Sequence, residues 1–236
     1  MTPRRRFAAD LDVSGLDGVH VWRQPSQNTT TFENRYGARG RVQHLHERAE
    51  PIAVEDIPVA WRDAPIVHLG PLAQDLDGSA AAAFPRALVG VTPQGWLRRW
   101  DGRGRVEVCD WAQPDAVLAH AAAIVLSIED VGGDWSRVAA WAERARVLVV
   151  TEAERGATVL AAGARRSFAA PSVQVREPTG AGDLFAAAYF VAYRNTGDAF
   201  GAAERCVWLT SMLLARRDGR FPSRALVEGL LREQRA

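Results

Sequence analysis

The residues with the clearest chemical capacity form one run, Glu177-Pro178-Thr179-Gly180-Ala181-Gly182-Asp183-Leu184-Phe185. A turn of small residues leads directly into an apolar stretch, 184–191, with a carboxylate at the junction. Glycine at 180 and 182 lets backbone come close to a ligand. The first turn of the following helix presents N–H groups without intrahelical partners, at the positive end of the helix dipole. Gly180, Ala181 and Gly182 are therefore expected to form an anion hole for phosphate oxygens. Asp183 is expected to act as the base that takes a proton from a hydroxyl as it attacks phosphorus. The competing role for an acid in a first helical turn is a cap or dipole partner with no chemistry.

Two further clusters sit where apolar runs end. Ser127-Ile128-Glu129-Asp130 follows Ala123-Ile124-Val125-Leu126. Adjacent carboxylates at Glu129 and Asp130 suit magnesium, a hard ion that keeps most of its water and takes one or two protein oxygens. The alternative is that both acids merely open the next helix. Thr151-Glu152-Ala153-Glu154-Arg155-Gly156 follows Val147-Leu148-Val149-Val150, and could equally be a plain turn between strands.

These clusters need a scaffold that brings strand ends together. Residues 66–70, 87–91, 123–127 and 147–151 are short apolar runs of the kind buried on both faces of a parallel sheet. A helix is predicted over 134–144, where Trp135, Val138 and Trp141 fall at helical spacing. Strand–helix alternation argues for an α/β fold. Residues 157–161 and 165–169 read as a hairpin. The C-terminal part reads as three helices, about 180–195, 198–216 and 222–235, separated by 195–198 and by Asp218-Gly219 and Pro222. The first 50 residues have β character at 19–22, 29–36 and 41–46, with Gly37-Ala38-Arg39-Gly40 as a hairpin turn.

Composition narrows the functional classes. The chain has 236 residues, 47% hydrophobic and 24% charged, which is ample for a core, and a net charge of +1. Balanced charge gives no global attraction to nucleic acid or to an acidic membrane. All 29 basic residues are arginine, which rules out a lysine Schiff base and a Walker A lysine. Cys109 and Cys206 imply neither a disulfide framework nor a zinc site. No apolar run approaches the roughly 18 residues of a membrane span, and no signal peptide is read, so the expected location is the cytoplasm. His44 and His46 share a strand face but have no evident third ligand. The eight tryptophans are expected in the core or an interface. Arg103, Arg105, Arg165 and Arg166 are read as solvated.

The 177–185 run resembles the signature of the PfkB sugar-kinase (ribokinase-like) family, and the order of elements is similar from about residue 12 onward. The resemblance implies a three-layer α/β sandwich with a mostly parallel central sheet and a small β lid. It also implies one domain over 1–236, with a lid remnant at about 18–47 and the α/β core at 60–236. The implied activity is transfer of a phosphoryl group from ATP to a hydroxyl of a small sugar, polyol or nucleoside, with magnesium. In the family an Asn and a Glu three residues later organise magnesium through water; Ser127 and Asp130 hold those places here, with Glu129 beside them. The family's Thr-x-Gly-x-x-Gly loop against the nucleotide is matched by Thr151 and Gly156, while Ala153 replaces its first glycine. If position 153 needs a positive φ, that alanine costs stability. Glu177 stands where the family has Asp. The stretch 92–98, Thr-Pro-Gln-Gly-Trp-Leu-Arg, resembles a run in the inositol-kinase branch. The family's opening strand with its sugar-binding Asp and Gly-Gly turn is not found before residue 12. The resemblance is therefore to an N-terminally incomplete member, whose open sheet edge favours pairing with a second copy. The same shortening supports a competing class, a non-catalytic nucleotide-binding or dimerisation protein of this fold.

Overall fold

The structure is a computed structural model, and it describes residues 18–37, 40–175, 177–217 and 222–234. A six-stranded sheet carries the molecule. Its strands are β3 (Ile66–Leu69), β4 (Leu88–Val91), β7 (Ala123–Ser127), β8 (Val147–Thr151), β9 (Ala157–Ala161) and β10 (Ala164–Phe168), in the spatial order β10-β9-β8-β7-β4-β3. The first four are mutually parallel; β9 pairs antiparallel with β8, and β10 antiparallel with β9. The apolar runs form these strands because both faces of the sheet are covered. Residues 123–126 of β7 and 147–150 of β8 are all buried.

Alternate residues of each strand feed two different cores. Leu69, Val89, Val91, Ile124, Leu126, Leu148 and Val150 face one side. There they meet α1 (Pro114–Leu118), α2 (Trp135–Ala142) and the Trp96–Trp111–Trp141 cluster, whose successive ring centroids are 5.6 and 5.3 Å apart. Ala123, Val125, Val147, Val149, Ala157 and Val159 face the other. There α3 (Ala181–Thr196) and α4 (Ala199–Arg216) supply Phe185, Tyr189, Phe190 and Cys206. A fully buried Phe such as Phe190, 1% exposed, contributes about 1.5–3 kcal/mol by leaving water. Helix α5 (Arg224–Glu233) closes against α4 through Leu230. This is the expected three-layer sandwich with a mostly parallel sheet.

The last helices begin and end as their residues dictate. Gly197 adopts φ 68° past the end of α3, and Asp198 Oδ1 accepts from the amides of Phe200 and Gly201 to start α4. The observed α3, α4 and α5 fall within two residues of the predicted helices; the predicted Asp218-Gly219 break lies outside the described residues. A lid stands apart from the sheet. It comprises β1 (Thr31–Gly37) with β2 (Gly40–Glu47), and β5 (Arg98–Trp100) with β6 (Val106–Val108), joined by a bridge between His44 and Arg105. The second pair was not read from the sequence, because three-residue strands carry too little periodicity. Residues 19–22, expected to be β, form no strand; among the described residues no strand pairs with them, and Val19 and Val21 are exposed. Ala38 and Arg39 of the expected hairpin turn lie outside the described residues, as does the chain before residue 18.

Two residue groups differ from their sequence reading in detail. The exposed Arg165 and Arg166 lie over the rings of Trp135 and Phe200, at 4.3 and 4.5 Å from the centroids, so they cover apolar surface as well as meeting solvent. His46 Nε2 meets Glu33 at 2.9 Å on the lid, and the described residues contain no cluster of three His, Cys, Asp or Glu side chains.

Candidate functional site

The parallel strands end at one rim of the sheet, where open α/β sheets bind ligands. A cleft of about 480 Å³ opens there. Its walls include His68 in β3 and Gly70 just beyond it, Thr92 and Gln94 after β4, Ser127 at the end of β7 with Asp130 beyond it, and Thr151 at the end of β8. Gly182 and Asp183 enter it from the first turn of α3.

The turn that delivers Asp183 is built from its own polar groups. Glu177 Oε1 accepts from the Thr179 amide at 2.9 Å, and the Ala181 amide donates to the Pro178 carbonyl at 3.0 Å. Gly180 takes φ +78°, a region that favours glycine, and so turns the chain into α3. The first intrahelical bond runs from the Leu184 amide to the Gly180 carbonyl at 2.9 Å. Gly182 and Asp183 therefore lie within the turn whose amides precede helical pairing. A side chain added at Gly182 would meet no atom within 4 Å, so the space above it is open. The Ala181 amide, expected in the anion hole, is instead engaged with Pro178. Gly180 and Ala181 do not line the cleft.

The acidic pair divides. Asp130 is half-buried and closes a capping box: its Oδ2 accepts from the Ser127 amide at 2.9 Å, while Ser127 Oγ accepts from the Glu129 amide at 3.2 Å. Asp130 Oδ1 accepts from Gln94 Nε2 at 2.8 Å. Glu129 is exposed and lines a separate hollow of about 200 Å³ under β2, β5 and β6, where Asp130 forms the shared wall. Both Asp130 oxygens thus already hold donors. This fits a magnesium ion that keeps its water and meets the protein mainly through it, and it fits a bare, multiply ligated ion poorly.

The loop after β8 also divides. Thr151 reaches the cleft, with Oγ1 at 3.4 Å from the Leu126 carbonyl. Gly156 does not. It is buried at φ +96° and ψ −126°, and a Cβ there would lie 2.0 Å from the Phe168 carbonyl oxygen. Chain crossing by itself requires a glycine there. Ala153 sits at φ +52°, the left-handed conformation in which alanine is costly.

His68, Thr92 and Gln94 were not assigned roles from the sequence. His68 Nε2 lies 3.0 Å from Thr92 Oγ1, and its ring meets the Phe190 edge at 5.0 Å. Desolvation holds the His68 imidazole below the ordinary histidine range, and the Asp183 charge opposes that shift. The usable signal was position: each lies within or just beyond the last two residues of a parallel strand, near the rim where ligands bind.

Residues 120–225 match the model of the pfkB family carbohydrate kinases. Among curated proteins no sequence matches this chain. Solved structures with the same fold include a pyrophosphate-dependent kinase of the ribokinase family in a sulfate complex, with a TM-score of 0.72 and 20% identity, over 86% of this chain and 75% of that one. A pyrophosphate-dependent kinase of the ribokinase family complexed with a pyrophosphate analog and myo-inositol gives a TM-score of 0.70 and 21% identity, over 86% and 74%. Arabidopsis thaliana ribokinase complexed with ribose and ATP gives 0.57 and 18%, over 85% and 68%. Residues 120–225 are thus similar to the pfkB family carbohydrate kinases, and the fold is the one these ribokinase-family structures share.

Proposed function

We propose that the chain transfers the terminal phosphoryl group of ATP to a hydroxyl of a small sugar, polyol or nucleoside, in the cleft at the strand ends. The observation that carries this is the convergence of Asp183 and Gly182, from the start of α3, with Thr151 and Asp130 around one opening. Asp183 takes the proton as the acceptor oxygen bonds to the γ-phosphorus and the bond to the β,γ-bridging oxygen breaks, releasing ADP. Gly182 and the Asp183 amide face the charge that develops on the transferred group. Asp130, with Glu129 next to it, is the place for a hydrated magnesium ion, which supplies neutralisation of phosphate charge. Thr151 faces the donor side, and Gly156 supports that loop from behind. His68 and Thr92 form the polar wall on the β3–β4 side, suited to acceptor hydroxyls.

Pyrophosphate is the second donor reading, because two structures of this fold are pyrophosphate-dependent kinases. A screen of sugars, polyols and nucleosides against ATP and against pyrophosphate, with magnesium, separates the two. Transfer from ATP supports the first reading, and transfer from pyrophosphate alone replaces the donor. If neither donor binds at millimolar concentration, the phosphoryl-transfer reading fails and a non-catalytic role remains. The proposal includes a cytoplasmic location and pairing of two copies, the latter tested by sedimentation. Among the described residues no helix is long and apolar enough to cross a membrane.

A further inference from the structure

Arg217 follows directly on α4 and is 5% exposed. Burying a guanidinium is expensive unless its donors are satisfied, so the groups it reaches identify what the burial achieves. Its backbone amide closes α4 on the Leu213 carbonyl at 2.9 Å. Its Nη2 reaches across to the start of α3, where it donates to the Thr179 carbonyl at 2.8 Å and to the Glu177 carbonyl. Both acceptors belong to the turn that precedes Gly180. Bonds from a charged donor are stronger than those between neutral groups.

Other bonds described at this turn are local. Pro178 has no amide to donate, the Thr179 amide is satisfied by the side chain of neighbouring Glu177, and the Ala181 amide by Pro178. These bonds are local and fix the turn's shape. The bonds from Arg217 come from 38 and 40 residues away and fix where the turn sits relative to α4. A misplacement of about 1 Å between an anion-binding turn and its ligand can cost roughly a hundredfold in rate.

We propose that Arg217 is a positioning residue, which braces the 177–180 turn from behind so that Gly182 and Asp183 face the phosphoryl group in register. It does not touch the ligand, and a buried cation behind the turn also adds to the positive potential at the start of α3. The inference rests on the phosphoryl-transfer reading of the cleft.

The test uses the full chain with Arg217→Met and Arg217→Lys. Tyr189→Phe serves as a control, since Tyr189 Oη donates to the Ala199 carbonyl at 3.0 Å inside the α3–α4 joint and away from the turn. In Arg217→Met, amide exchange across 177–184 should quicken by about tenfold or more while β7 and β8 stay protected. Affinity for magnesium-ATP, or for pyrophosphate if that is the donor, should fall by about tenfold. Turnover should fall by about a hundredfold with the acceptor KM unchanged. Arg217→Lys, which keeps a charged donor, should recover part of both losses. Tyr189→Phe should lower the melting temperature without changing donor affinity. If Arg217→Met binds the donor as the parent does, or if Tyr189→Phe loses as much affinity, the positioning role is overturned and the kinase reading stands. If the parent binds neither donor, both are overturned.

Discussion

Two glycine turns flank the cleft, and they differ in what fills the space over the missing side chain. Above Gly182 there is nothing within 4 Å, and the opening belongs to the cleft. Above Gly156 the Phe168 carbonyl oxygen would sit 2.0 Å from a Cβ, with the Ala170 amide nitrogen 2.7 Å away. One turn leaves its space to a ligand, and the other uses it so that chain can cross chain. Both are glycines after small or polar residues at strand or helix ends, so sequence alone assigns them the same task. The comparison teaches that a glycine in a motif names a tight approach and leaves open what approaches.

The largest effect should come from the side chain next to the open glycine. Asp183→Asn keeps the shape and most hydrogen bonding but removes the base. Phosphoryl transfer should fall by about two to four orders of magnitude while ATP still binds. Single-turnover kinetics beside calorimetry measures both. Retention of most turnover in a folded variant would reduce Asp183 to a helix cap and remove the chemical asymmetry between the two turns.

Substituting the glycines themselves should give opposite signatures. Gly182→Val places a branched side chain in the open space over the anion site. ATP affinity should fall by about tenfold or more, while the melting temperature moves by no more than about 2 °C, as for a solvent-facing change. Gly163→Val, in the hairpin between β9 and β10, should leave affinity intact. If Gly182→Val binds ATP like the parent, the open space is not a ligand site. Gly156→Ala should do the reverse. It combines a backbone conformation reserved for glycine with a clash against backbone, at a cost of about 3 kcal/mol or a fall of roughly 6–12 °C. The fraction that folds should bind ATP normally. A scan unchanged within about 1 °C would show that the 153–156 loop moves aside and that Gly156 has no packing duty.

Much of this architecture was legible because its signals are strong and local. The four apolar runs became the parallel strands, and the signature became the start of α3, since burial on both faces and glycine before a helix each leave a composition that admits few alternatives. The site was legible in part. Asp183, Gly182, Thr151 and Asp130 converge as their positions at element ends implied, whereas Glu129 faces the hollow under the lid because the capping box turns the chain within four residues. Arg217 carried no signal: its partners lie 38 and 40 residues earlier, and one arginine among 29 does not stand out. His68 and Gln94 were hidden for a similar reason, since their contacts are made only when separate strands align.

The smallest effect sharpens the comparison most finely, because it concerns a position where glycine is missing. Ala153 precedes Gly156 in the packed loop and holds φ +52°. For alanine this conformation costs about 1–2 kcal/mol over the right-handed one. Ala153→Gly removes that cost but gives the unfolded chain more freedom, which offsets about 0.4–1 kcal/mol. The net expectation is a gain of about 0.8 kcal/mol, or about 2–3 °C in melting temperature. Donor affinity should be unchanged if the loop only packs, as the crowding at Gly156 argues. If affinity instead rises several-fold with the added glycine, the 153–156 backbone contacts the donor. The two turns would then both be ligand sites, and the distinction drawn from the space above their glycines would fail.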